Sequence, residues 1–167
     1  LLYGKGIVVV RRAWRSLTGS TKAPRGTGEL RSALERGMAQ YETDVRAYVA
    51  IAGALGVRMV LVEPPDISGD AANADGHAAD RWRSAFGDVE PSLILEGYAR
   101  QGEVLRRVAA ETDAEYLPTS GFGLDSLRFY EPGDPIHFVD EGALVLADRL
   151  AQALRPLLHT ASLTAAP

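Results

Sequence analysis

The sequence predicts an α/β domain, a parallel sheet with helices on both faces. Three observations predict it. Apolar residues recur at helical spacing over residues 29–55, again over 91–109, and again after Asp140. A short strand-like run follows each of the first two helical stretches, at Val57-Arg58-Met59-Val60-Leu61-Val62 and at Ala114-Glu115-Tyr116-Leu117-Pro118. The resulting order of helix, strand, helix, strand, helix is the alternation that crossover helices between parallel strands produce.

Composition bounds the answer. The chain has 167 residues, which suits one domain with one core. A hydrophobic content of 46% and a charged content of 24% are ordinary for a globular protein. Cysteine is absent, which excludes disulfides, thiolate metal sites and a cysteine nucleophile. No apolar run approaches the roughly 20 residues that span a bilayer, so no membrane span is expected. The first residues do not read as a signal peptide: the apolar run Ile7-Val8-Val9-Val10 is short and its charges follow it. Net charge is −4, but residues 1–36 hold eight Lys/Arg against two Asp/Glu. That basic head has no aromatic interleaving and no nucleic-acid motif, so it reads as a solvated segment and no nucleic-acid partner is expected.

Residues 1–28 form a basic N-terminal segment and loop, the run from Thr18 to Gly28 being rich in Gly, Ser, Thr and Pro without a period. Gly26-x-Gly28 lacks the third glycine of a dinucleotide fingerprint. From Glu29, the positions Leu34, Met38, Tyr41, Val45, Tyr48, Ala52 and Leu55 place one apolar face on a long helix, which Gly56 should stop. The strand 57–62 is nearly all apolar, as in a buried parallel strand, and Glu63-Pro64-Pro65 ends it. Residues 66–91 are acidic, alanine-rich and irregular, a long loop with room for a short helix near Ala78 to Phe86. The second helix should open at Pro91 or Ser92 and turn Ile94, Tyr98, Leu105, Val108 and Ala109 inward. After the strand 114–118, a loop runs from Thr119 to Gly133. The last helix is expected from Asp140 as its N-cap, with Leu144, Ala147, Ala151, Leu154 and Leu158 as its buried stripe. It is expected to end near Pro156, leaving 160–167 as a frayed tail, so that 29–159 is the α/β part.

The chemistry is concentrated in Glu131-Pro132-Gly133-Asp134-Pro135-Ile136-His137-Phe138-Val139-Asp140-Glu141-Gly142. This loop follows the second strand, and open parallel sheets place ligand sites at strand carboxyl ends. Pro135 stiffens the link between Asp134 and His137. A carboxylate held so can accept the Nδ1 proton of His137, leaving Nε2 to take a proton from a hydroxyl nucleophile. From spacing alone, an Asp134 that caps a turn and a His137 that is an ordinary loop residue fit equally well.

The run Asp134-x-x-His137-Phe138-x-x-x-Gly142, with an apolar helix after it, resembles the last block of the SGNH (GDSL-type) hydrolases. The likeness extends as a topological pattern over roughly 30–158: a long helix, a strand ending in Pro-Pro, a variable loop, a helix with Tyr98 and Leu105, and a short strand. It implies a flavodoxin-like SGNH hydrolase fold that is incomplete at its N-terminal side. It also implies an esterase- or lipase-like activity with a serine nucleophile, His137 as base and Asp134 as its orienter. The implied substrate is a small-molecule ester, an acyl or acetyl group on a lipid or carbohydrate, and no cofactor or metal is implied.

The family's Gly-Asp-Ser and Gly-x-Asn blocks are not found. Asn73, the only asparagine, sits in the acidic loop, and Gly123-Leu124-Asp125-Ser126-Leu127 carries an inserted Leu and lies on the wrong side of the chain. The chain also does not begin with Met. The expectation is a C-terminal part, inactive alone, whose nucleophile and oxyanion donors lie upstream. Two alternatives stay open: a non-catalytic α/β domain that binds a ligand or partner, and a structural fragment. Asp70, Asp75, His77 and Asp80 lack the spacing of a calcium loop and read as a solvated acidic loop. His159 lies near the tail and is expected to be inert.

Overall fold

The computed structural model describes residues 26–65, 89–124, 127–131 and 137–164. Its elements are helix α1 (Thr27–Ala54), strand β1 (Val60–Val62), helix α2 (Pro91–Ala110), strand β2 (Glu115–Leu117), one 3₁₀ turn (Leu127–Phe129) and helix α3 (Asp140–Thr164). The two strands pair in parallel, with Leu61 opposite Tyr116, so the described part is a mostly helical α/β arrangement around a two-stranded parallel sheet.

Helix α1 begins at Thr27, inside the expected loop, and ends where the glycine requires it. Gly56 takes φ +65°, Val57 N–H donates to Ala52 O at 2.8 Å and Gly56 N–H donates to Gly53 O at 3.0 Å. These two bonds satisfy the last helical carbonyls in a Schellman arrangement. They also shorten the expected strand. Val57 is committed to the helix end and is exposed, and β1 starts only at Val60. Glu115 N–H to Met59 O and Glu63 N–H to Leu117 O, both 2.9 Å, extend the ladder by one bond at each end before Pro64-Pro65 stops it.

Helices α1 and α2 lie side by side and run parallel. Arg31 pairs with Glu96, Glu35 with Arg100, Glu42 with Arg107 and Arg46 with Glu111, each pair 65 residues apart. A constant offset along two helices is possible only if they run in the same direction. Arg107 and then Arg46 hold the Glu42 carboxyl below its ordinary range, and Arg100 does the same for Glu35. Surface pairs of this kind stabilise little, so they act as markers of register. Stability comes from the apolar cluster beneath them, where Met38 and Val45 of α1 meet Leu61 of β1 and Val104, Leu105, Val108 and Ala109 of α2. Val108, at its centre, has no solvent exposure.

The expected stripe of α1 needs correction at two positions. Val49 replaces Tyr48 against the core, while Tyr48 and Leu55 are 54% and 72% exposed. The offset supplies the reason: α2 stops at Ala110, the counterpart of Val45, so the last turns of α1 overhang it.

Helix α3 corrects more. Asp140 is its first residue rather than its cap, since Ala143 N–H already donates to Val139 O at 3.0 Å. The buried positions are Gly142 and Leu146, with Val145, Leu150, Ala153, Leu154 and Leu157 half-buried, while Leu144 is 70% exposed and Ala147 and Ala151 are exposed. The helix also passes through Pro156 and reaches Thr164, with His159 inside it. An interior proline costs about 3 kcal/mol by removing one helical bond. Arg58 acts in the opposite sense: its guanidinium donates to Leu157 O at 3.0 Å and to Glu115 at 2.8 Å, tying this part of α3 to the sheet.

Tyr41 gives a test of the α1–α2 core. Burial pushes its phenol up to about 12 from an ordinary 10. A folded value above the unfolded one means that the neutral form contributes stability below pH 10, which is lost as pH rises through 12. Chemical unfolding at pH 9 and pH 11.5 should therefore show the wild type losing about 2 kcal/mol more than Tyr41→Phe between the two.

Candidate functional site

His137 sits at the end of a small antiparallel pairing. Tyr130 bridges Phe138, Val139 N–H donates to Phe129 O at 2.9 Å, and Glu131 N–H donates to His137 O at 2.9 Å. The arms 129–131 and 137–139 thus form a short hairpin, where the sequence predicts plain loop. Its signal was present: the aromatic pair Phe129-Tyr130 and the aromatic, β-branched pair Phe138-Val139 flank a Pro-Gly-Asp-Pro run. Asp134 belongs to 132–136 and lies outside the described residues, so its distance to His137 is not part of this geometry. His137 is exposed.

Two contacts anchor the hairpin. The Tyr130 and Phe138 rings stack with centroids 4.7 Å apart and planes tilted by 32°. Gly142, in the first turn of α3, lies so close to the hairpin that a Cβ there would overlap the carbonyl oxygen of Phe129. It would also stand 2.8 Å from Phe138 Cδ1 and 2.9 Å from Phe129 Cβ. Only glycine lets α3 approach this closely, which is a physical reason for a glycine five residues after His137. At the rim, Arg128 lies over the Phe129 ring at 4.5 Å and reaches Glu141 at 3.8 Å.

The hairpin's place relative to the sheet follows from α2. β1 and β2 are parallel, so the helix that joins them runs back against the strand direction, and its Gly102 lies against Glu63 at the carboxyl end of β1. Helix α2 is therefore antiparallel to the strands, and its first half extends beyond their carboxyl ends. There Leu93 and Ile94 join Leu124, Phe129, Tyr130 and Leu146 in a second apolar cluster, with Phe138, Tyr98, Leu30 and Leu34 packed against it. The hairpin that carries His137 rests on this cluster, at the carboxyl-end side of the parallel sheet.

A second group stands at the end of β1 itself. The Glu63 carboxylate accepts from Thr119 N–H at 3.3 Å, and its charge acts on the Tyr116 phenol. Burial is the main cause that raises Tyr116 above its ordinary value, with Arg106 opposing and Glu63 adding to the rise. In the sequence, Glu63 is only part of a strand stop. Thr119 lies 56 residues further on, so no local pattern could show the bond.

Asp70, Asn73, Asp75, His77, Asp80 and Ser126 lie outside the described residues. Among the described residues, no group of three or more His, Asp or Glu could hold a metal ion, and no helix is long and apolar enough to cross a membrane. No protein-family model matches the chain, and no match was found among curated proteins or solved structures.

The close approach at Gly142 should be costly to alter. Gly142→Ala places a methyl group against backbone and Cβ atoms that cannot swing aside, so a net loss of about 2 kcal/mol is expected in urea unfolding, despite alanine's better helix propensity. Gly37→Ala is the control. Its Cβ meets nothing within 4 Å, and it should gain up to about 1 kcal/mol.

Proposed function

We propose that the chain carries the base and orienter of an SGNH-type ester hydrolase, with His137 as general base and then general acid and Asp134 as the group that orients it. One observation carries the reading. His137 closes a hairpin on the carboxyl-end side of a parallel sheet, directly before a helix whose Gly142 packs onto that hairpin. Parallel sheets present their ligand sites on that side. The hairpin arms and the Gly142 contact fix the backbone of His137, so an imidazole there is held by structure rather than by a free loop.

In this mechanism a serine from beyond the described residues attacks the ester carbonyl and gives its proton to Nε2 of His137. The imidazolium formed is stabilised by the Asp134 carboxylate at Nδ1–H. Collapse of the tetrahedral intermediate returns the proton from Nε2 to the leaving alkoxide. Water then repeats the sequence on the acyl-enzyme and releases the acid. The substrate class is a small-molecule ester, and acyl transfer to another hydroxyl would use the same steps.

The test is hydrolysis of p-nitrophenyl acetate by the full-length protein. His137→Ala should lower kcat about 10²–10⁴-fold with the melting temperature little changed, and Asp134→Asn should move kcat in the same direction. An unchanged kcat in His137→Ala would falsify the assignment. Absence of any hydrolysis would favour the alternative, a non-catalytic α/β domain that binds a ligand or partner.

A further inference from the structure

We propose that Glu63 is a positioning residue for the His137 hairpin, acting through the segment that leaves β2. The chain exits β2 at Leu117 and must turn at once. Glu63, the last residue before Pro64-Pro65, meets it there twice: its backbone N–H donates to Leu117 O at 2.9 Å, and its carboxylate accepts from Thr119 N–H at 3.3 Å. Thr119 is only 6% exposed, so this bond satisfies a backbone donor that water reaches poorly. Phe122 N–H then donates to Thr119 O at 2.9 Å, closing a turn on the fastened residue.

That turn delivers Phe122 and Leu124 into the apolar cluster that holds Phe129, Tyr130 and Phe138. A shift at Thr119 is therefore passed to the hairpin by packing, since close-packed side chains transmit displacement. Helix α2 leaves room for the carboxylate at Gly102. A Cβ at 102 would overlap Glu63 Oε1 and stand 3.4 Å from Cδ. Gly102 lies in the middle of α2, where alanine would be the better helix former, so its lack of a side chain serves the carboxylate and not the helix.

The effect on catalysis rests on the hydrolase reading, whereas the fastening does not. Amide hydrogen exchange on the full chain separates the two. Glu63→Ala and Gly102→Ala should speed exchange at Thr119 by about tenfold, the equivalent of one ordinary hydrogen bond, and should also speed exchange at Glu131, whose N–H bonds to His137 O. Val108, in the other cluster, should keep its wild-type rate. Glu63→Gln retains an acceptor for Thr119 and should restore near wild-type exchange at both sites. Where Glu63→Ala also loosens Val108, Gly102→Ala decides, because it leaves the helix intact and moves only the carboxylate. Unchanged exchange at Thr119 in both variants overturns the proposal, and so does faster exchange at Thr119 with none at Glu131. In the p-nitrophenyl acetate assay, the two variants should lower kcat with KM little changed, and Glu63→Gln should recover it. A full kcat in both overturns the positioning role. A wild-type protein with no ester rate sinks the hydrolase reading instead, and the exchange results still judge Glu63.

Discussion

The parallel packing of α1 against α2 is the constraint on which the rest depends. Because the helices run together at a constant offset of 65 residues, each has two halves with different duties. The second half of α2, with the middle of α1, covers Leu61 and builds the core around Val108. The first halves run on past the carboxyl ends of the strands and form a platform of Leu30, Leu34, Leu93, Ile94 and Tyr98. A helix antiparallel to the strands it covers must overshoot them when it is longer than they are, and α2 has 20 residues against three in each strand. The overshoot creates a second apolar cluster where a site can be built.

What rests on that platform is shaped by close approach more than by charge. Gly142 allows α3 to lie against Phe129, and the Phe138–Tyr130 stack holds the other arm of the hairpin. His137 is set between them by its backbone, with its carbonyl bonded to Glu131. Gly102 plays the same part on α2, letting the Glu63 carboxylate sit over the helix and reach Thr119. In both places the missing Cβ belongs to one element and the benefit to another, so a helix-propensity argument alone would misread each glycine as a defect. The surface ion pairs have a different role. They line one edge of the helix pair and mark its register, while burial supplies the stability.

Much of this was legible in the chain itself, for local reasons. Gly56 ends α1 because only a residue without Cβ takes a φ of +65° without strain, Pro64-Pro65 ends β1 because proline offers no donor, and Pro91 opens α2 because its missing N–H is not needed there. The inward face of α2 was readable because apolar and charged residues alternate cleanly around it: Ile94, Leu105, Val108 and Ala109 are buried as their spacing implied. Asp134 and His137 were readable as a motif. Only the backbone setting of His137 is given by the fold, while Asp134 lies outside the described residues.

Helix α3 shows where local reading stops. Ala143, Leu144, Val145, Leu146 and Ala147 are all apolar, so periodicity permits several rotations about the helix axis. The contact between Gly142 and Phe129 selects one, which buries Leu146 and leaves Leu144 in solvent. Tyr48 and Leu55 likewise fit the stripe of α1, yet they are exposed on turns that overhang the end of α2, where Val49 and Ala52 face inward instead. The hairpin, the Glu63–Thr119 bond and the continuation of α3 past Pro156 with Arg58 on Leu157 join residues from 6 to 99 positions apart. The sequence by itself determined where the elements start, stop and alternate, because those are short-range properties of glycine, proline and apolar spacing. Tertiary structure alone decided which face turns inward and what holds the His137 hairpin, because those depend on atoms that meet only once the chain has folded.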